Sequence, residues 1–165
     1  MFWLPALLVL AADRLTKLAV QHRMVVGESH RVLGEFFRIT SVRNSGAVFG
    51  MFPGNPLLFL WISVLAILLV LGLYARGGRG HRLRALALGL ILGGALGNLH
   101  DRIFYRQVVD FLDFTFGRYH FPVFNVADSA VTVGVALLAL DAWIHSGAPR
   151  GEAPDAAPPP GDAGS

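Results

Sequence analysis

Apolar residues along this chain gather into four long runs, separated by short polar stretches and one longer mixed segment. A hydrocarbon core about 30 Å thick takes roughly 20 helical residues to cross. Runs from about Phe2 to Gln21, Pro56 to Tyr74, Ala85 to Phe104 and Val126 to His145 meet that length. The second carries no charge. The first holds Asp13 and Lys17, the third turns polar at Asn98-Leu99-His100-Asp101-Arg102, and the fourth has Asp128 near its start and Asp141 near its end. This pattern predicts an all-α membrane protein, a four-helix transmembrane bundle.

The mixed segment, 22–55, reads differently. Arg31-Val32-Leu33, Phe36-Phe37-Arg38-Ile39-Thr40 and Ser41-Val42-Arg43 are rich in β-branched and aromatic residues, and Gly46 and Gly50 punctuate the stretch after Arg43. A small β-sheet lying on the outer membrane surface is expected. Residues 1–145 then form one membrane domain. The tail over 146–165 is rich in proline, alanine and glycine without an apolar period, and reads as disordered.

Composition agrees with the pattern. The chain has 54% hydrophobic and 15% charged residues, far from a soluble average. Cysteine is absent, which excludes disulfides and thiolate metal sites. The net charge of +3 rests on arginine, with Lys17 the only lysine. In a soluble chain that balance would suggest nucleic acid; here basic loops set orientation, and no nucleic-acid partner is expected. Four arginines crowd Arg76-Gly77-Gly78-Arg79-Gly80-His81-Arg82-Leu83-Arg84, which marks this loop as cytoplasmic. Both termini then lie inside, and the 22–55 and 105–123 connections lie outside. No cleavable signal peptide is expected, because Asp13-Arg14-Leu15-Thr16-Lys17 stands where small residues would mark cleavage.

Carboxylates beside hydrocarbon are expensive to ionise and mark candidate sites. Asp110 lies between Val109 and Phe111, in a segment too apolar for a solvated loop. Asp128 falls in the first turn of the fourth run, where it is either a site carboxylate or a capping anion. Asn125 is placed to cap that helix or to lie beside Asp128. Two such carboxylates can share one proton and activate water. Asp13 and Lys17 share a helix face, as an ion pair that fixes packing or as part of the site. Arg14, rotated by about 100°, needs a partner on another helix or at the interface. Gly89, Gly93 and Gly97 form a small-residue stripe for close helix approach. Asn98, Asp101 and Arg102 share a face one turn on, as an interfacial cluster or as support for the site. Ser129 is expected to bond a backbone carbonyl rather than to act as nucleophile. Six histidines are scattered without a metal-binding pair on a span, so neither metal nor cofactor is expected.

Taken in order, five motifs resemble the lipoprotein signal peptidases, the type II signal peptidases of bacteria. They are Asp13-Arg14-Leu15-Thr16-Lys17, Asn44-Ser45-Gly46-Ala47-Val48-Phe49-Gly50, Gly93-Gly94-Ala95-Leu96-Gly97-Asn98-Leu99-His100-Asp101-Arg102, Val108-Val109-Asp110-Phe111 and Phe124-Asn125-Val126-Ala127-Asp128-Ser129-Ala130. Val48 stands where the family usually has alanine, His100 falls at a variable position, and the proline-rich tail lies outside the resemblance.

The resemblance implies an aspartic endopeptidase of the bacterial cytoplasmic (inner) membrane. Its partners would be membrane lipids and diacylglyceryl-prolipoproteins, cleaved immediately before the lipidated cysteine, and it would act as a monomer. The catalytic pair maps onto Asp110 and Asp128. Asn44, Asn98, Arg102 and Asn125 match positions that line the site and hold substrate backbone; Asp13, Lys17, Gly46 and Asp101 fall among the supporting positions. The outer sheet and the loop carrying Asn44 are expected to fold over the site as a lid. Without the resemblance, two other readings stand: a transporter subunit using Asp110 and Asp128 as a proton relay, and a scaffold whose polar residues only specify packing.

Overall fold

The computed structural model describes residues 1–46, 56–78 and 80–146. Its elements are α1 (Trp3–Arg23), β1 (Ser29–Leu33), β2 (Phe37–Asn44), α2 (Pro56–Leu73), α3 (Arg82–Tyr105), β3 (Val108–Phe116), β4 (Tyr119–His120) and α4 (Val126–Ser146). A π-helical turn, Tyr74–Gly78, ends α2. The four helices overlie the four apolar runs. The expected disordered tail lies outside the described residues, apart from Ser146 at the end of α4, as do Ala47, Val48, Phe49 and Gly50.

Among the described residues, three stretches are long and apolar enough to cross a membrane: Leu57–Gly77, Arg82–Tyr105 and Val126–His145. α1 has a matching length of 21 residues but carries Asp13, Arg14 and Lys17 in its second half. α3 is the central helix and touches α1, α2 and α4. Burial follows that order: 56% of the α3 span is buried, against 11% for α2, whose leucines and Trp61 face outward.

Small residues make the central position of α3 possible. A Cβ at Gly89 would overlap the Phe2 carbonyl, at Gly93 that of Ala6, and at Gly97 the Asp13 carboxylate. The predicted stripe is therefore the α1 contact. Gly94, one position round, meets the Ala127 carbonyl of α4, and Gly134 returns the fit against Ala87 and Ile91. Far from the sheet, Phe2, Ala6, Val70, Leu88 and Leu92 close an apolar core.

The sheet is antiparallel with order β1-β2-β3-β4. β1 and β2 are the strands expected from the mixed segment. β3 and β4 come from the 105–123 connection, where only an apolar stretch was legible. Val108, Val109, Asp110 and Phe111 are all buried, so the opening of β3 shows none of the alternation that marks a half-exposed strand. Gly117, at φ +61°, allows the tight β3–β4 turn. A second core, Val20, Val109 and Phe111 with Met24 and Ile39 against it, ties the sheet to α1. Because β2 pairs with β3, the sheet carries Asp110 itself. A lid built from the whole sheet would move a candidate catalytic residue with it. The part that remains for a lid is the Asn44–Gly46 end, which leads into residues outside those described.

Candidate active site

The site lies where the end of α3, the start of α4 and the first residues of β3 meet. It is built on a buried ion cluster. The Lys17 ammonium lies 2.9 Å from three oxygens: it donates to Asn98 Oδ1 and pairs as an ion with Asp13 Oδ2 and Asp101 Oδ2. Asp101 also accepts from Arg14, the interhelical partner that Arg14 needed. Two cations thus meet two anions. Lys17, Asp13 and Asp101 are fully buried, a state charges tolerate only when paired and hydrogen-bonded.

This cluster does more than hold helices together. Asp13 Oδ1 accepts the Ala127 N–H at 3.0 Å, placing an anion at the amino end of α4. Asp101 Oδ2 accepts the Val109 N–H at 3.2 Å, which fixes the residue before Asp110. Lys17 fixes Asn98: an ammonium only donates, so the amide oxygen must face it and the amide nitrogen must face away. That nitrogen donates to Asp128 Oδ1 at 2.7 Å. The Asp13–Lys17 pair thus packs α1 against α3 and also contacts Asn98 and the amino end of α4.

Asn125 is the N-cap of α4. Its Oδ1 accepts the Asp128 N–H at 2.9 Å, while Asp128 Oδ2 accepts the Asn125 N–H at 3.2 Å, a reciprocal capping box. With its oxygen so committed, the Asn125 amide nitrogen donates to Asp110 Oδ1 at 2.6 Å and to Asn98 Oδ1 at 3.2 Å. Asp110 Oδ2 accepts from Asn44 Nδ2 at 2.9 Å, and Asn44 Oδ1 holds the Gly46 N–H at 3.0 Å. Ser129 bonds the Asn125 carbonyl, as expected of a helical serine.

Asp110 and Asp128 are thereby joined through Asn125 and Asn98, and each accepts hydrogen bonds from neutral amides. Burial, and then the charge of Asp128, raise the Asp110 pKa to about 6, against the lowering effect of the Asn44 and Asn125 bonds. Asp110 is buried and Asp128 half-buried, so Asp128 is the more accessible member of the pair. Half-buried Arg102 donates to Ser63 Oγ at 3.2 Å and lies within electrostatic reach of both aspartates. Asp101, by contrast, is fully buried and committed to Arg14, Lys17 and Val109.

Sequence reasoning missed Ser63. Its signal was its position as the single polar side chain of α2. The backbone N–H groups of Val109 and Ala127, which anchor the site, carry no side-chain signal.

Helices of membrane-crossing length, with a buried and a half-buried aspartate linked at one end, are the arrangement an aspartic peptidase set in a bilayer would need. Residues 5–144 match the family described as signal peptidase (SPase) II. The lipoprotein signal peptidase of Bacillus subtilis (strain 168) is 40% identical over 92% of this chain and 99% of its own. That of Halothermothrix orenii is 45% identical over 87% and 95%. A solved bacterial membrane enzyme superposes with a TM-score of 0.84 at 32% identity, covering 92% of this chain and 93% of that one. The chain belongs to the signal peptidase II family of aspartic membrane proteases, with the lipoprotein signal peptidase activity that defines it.

Proposed function

We propose that the protein removes signal peptides from diacylglyceryl-modified prolipoproteins, cutting immediately before the lipidated cysteine, with Asp110 and Asp128 as the catalytic pair. The observation that carries this reading is the Asn125–Asn98 bridge, which links both carboxylates at one end of a membrane bundle. Like charges held close cannot both ionise easily, so the pair holds one proton. The ionised member takes a proton from a bound water, whose oxygen attacks the scissile carbonyl. The protonated member donates to the developing oxyanion, and the leaving amine is protonated as the C–N bond breaks. Burial disposes Asp110 to hold the shared proton, and half-buried Asp128 to meet the water.

Asn44, bonded to Asp110, and Arg102, close to both aspartates, are assigned to the substrate backbone. All four helices cross the bilayer in this reading, with α1 hiding its charges against α3. The arginine-rich connection after α2 faces the cytoplasm, the site faces the outer surface, and the enzyme works as a monomer. The signal helix enters laterally while the acyl chains stay in lipid, anchored by about 0.8 kcal/mol per buried CH₂.

Purified protein in detergent, given a diacylglyceryl-prolipoprotein and its unlipidated counterpart, tests the assignment by mass spectrometry. The lipidated substrate should yield a product beginning at the modified cysteine. Equal processing of the unlipidated chain, or a cut elsewhere, would refute the substrate assignment.

A further inference from the structure

At the opposite end of the bundle from the aspartate pair, a second cluster of ligating side chains stands outside the proteolytic site. His81 precedes α3, and Asp141 and His145 lie on the last turns of α4. One ligand atom from each falls within 4.8 Å of the others. We propose that these three residues form a binding site for a divalent transition-metal ion of the Zn²⁺ class.

Asp141 gives the strongest indication. It is 1% exposed, and its Oδ1 is buried without a hydrogen bond. A buried carboxylate oxygen left so is costly unless something fills the place. The other oxygen is committed: Arg84 Nε donates to Oδ2 at 2.8 Å, which fixes the carboxylate plane and turns Oδ1 toward the histidines. Such an outer hydrogen bond is how ligating carboxylates are held in metal sites.

Nδ1 of His145 sits 3.5 Å from Oδ1. Ligands about 2.0–2.1 Å from a tetrahedral Zn²⁺ are themselves about 3.3 Å apart, so this edge is nearly in place. His145 Nδ1 now contacts the Asp141 carbonyl at 2.7 Å, a bond that metal ligation exchanges for a stronger one. His81 is the N-cap of α3 but its side chain makes no cap bond, and its ring meets that of His145 edge-on at 4.9 Å. Both rings are exposed and can close the remaining distance by rotation. The carboxyl end of α4 adds a field that favours a cation.

The chemistry selects the ion. Arg84 neutralises much of the Asp141 charge, which disfavours Mg²⁺ and Ca²⁺, ions held by oxygen and charge. Two imidazoles and one carboxylate suit Zn²⁺ and its neighbours, with water completing the shell. Bound there, the ion ties the α2–α3 connection to the end of α4. The histidines looked scattered in sequence because only the fold brings His81 to the Asp141–His145 pair.

Full-length protein with a non-histidine tag, stripped by chelator in detergent, is titrated with Zn²⁺ by calorimetry and with Co²⁺ by visible absorption. One ion per chain is expected, with the intense bands of four-coordinate Co²⁺. His81→Ala and His145→Ala should each weaken binding at least tenfold and reduce the Zn²⁺-dependent rise in unfolding temperature. His81 is exposed outside the helices, so its variant tests the site without disturbing the fold. Absence of saturable binding by the wild type, or affinities unchanged in both variants, overturns the proposal.

Discussion

Asn125 has every side-chain hydrogen-bonding group near the site in use: it caps α4, bonds Asp110 and reaches Asn98. Replacing it with alanine removes a cap worth about 1 kcal/mol and frees the Asp110 carboxylate to turn. The expected result is a modest fall in unfolding temperature beside a loss of roughly 100-fold in kcat, the scale of an ångström's misplacement. Lys17 should behave in the opposite way. Lys17→Met leaves Asp13 and Asp101 buried beside too little positive charge, at a cost of about 3–5 kcal/mol. Thermal unfolding in detergent should show it as one of the most damaging single changes in the site. Motif and burial arguments picked out both positions in the sequence. The direction of each amide was not legible, because it is set by donors from distant segments: Lys17 from α1 for Asn98, and the amino end of α4 for Asn125.

Among the elements, α3 sets the geometry through what it lacks. Gly97 lies against the Asp13 carboxylate that holds the amino end of α4. Gly97→Ala should displace that carboxylate and shift Asp128 while leaving the bundle folded. Steady-state kinetics should then show kcat lowered by ~10-fold or more, and the unfolding temperature should fall as well, because the displaced Oδ2 is the oxygen paired with Lys17. Gly93→Leu, which drives a large side chain into the Ala6 carbonyl, should destabilise the bundle by about 1–3 kcal/mol or more without touching that pair. The stripe was legible because its spacing repeats every four residues. β3 was not: Val108 to Phe111 are buried on both faces, and a strand without alternation looks like any short apolar run. Yet β3 carries Asp110, so the missing strand and the missing geometry of the dyad have one cause.

For the whole molecule, the position of the pair at the end of a lipid-facing bundle makes stability depend on pH. Asp110 has a pKa of about 6 when folded and an ordinary value of 3.8. The folded protein therefore keeps a proton that the unfolded chain has released. Stability from that proton is fully present below pH 3.8 and lost as pH rises through about 6, for a change of about 3 kcal/mol. Unfolding temperatures measured from pH 4 to 7.5 should fall across this window in the wild type, and Asp110→Asn should flatten that part of the slope. The four helices were readable from apolar length alone, while the fit of α1 against α3 and of the sheet against α1 depends on contacts far apart in the chain. The most direct test of the account is cleavage of a diacylglyceryl-prolipoprotein by purified wild type, Asp110→Asn and Asp128→Asn, with Asp113→Asn, a buried aspartate of the same strand, as control. Both dyad variants should remain folded and lose about 10²–10⁴-fold in rate, while the control stays near wild type. Wild-type cleavage by either dyad variant would contradict the account.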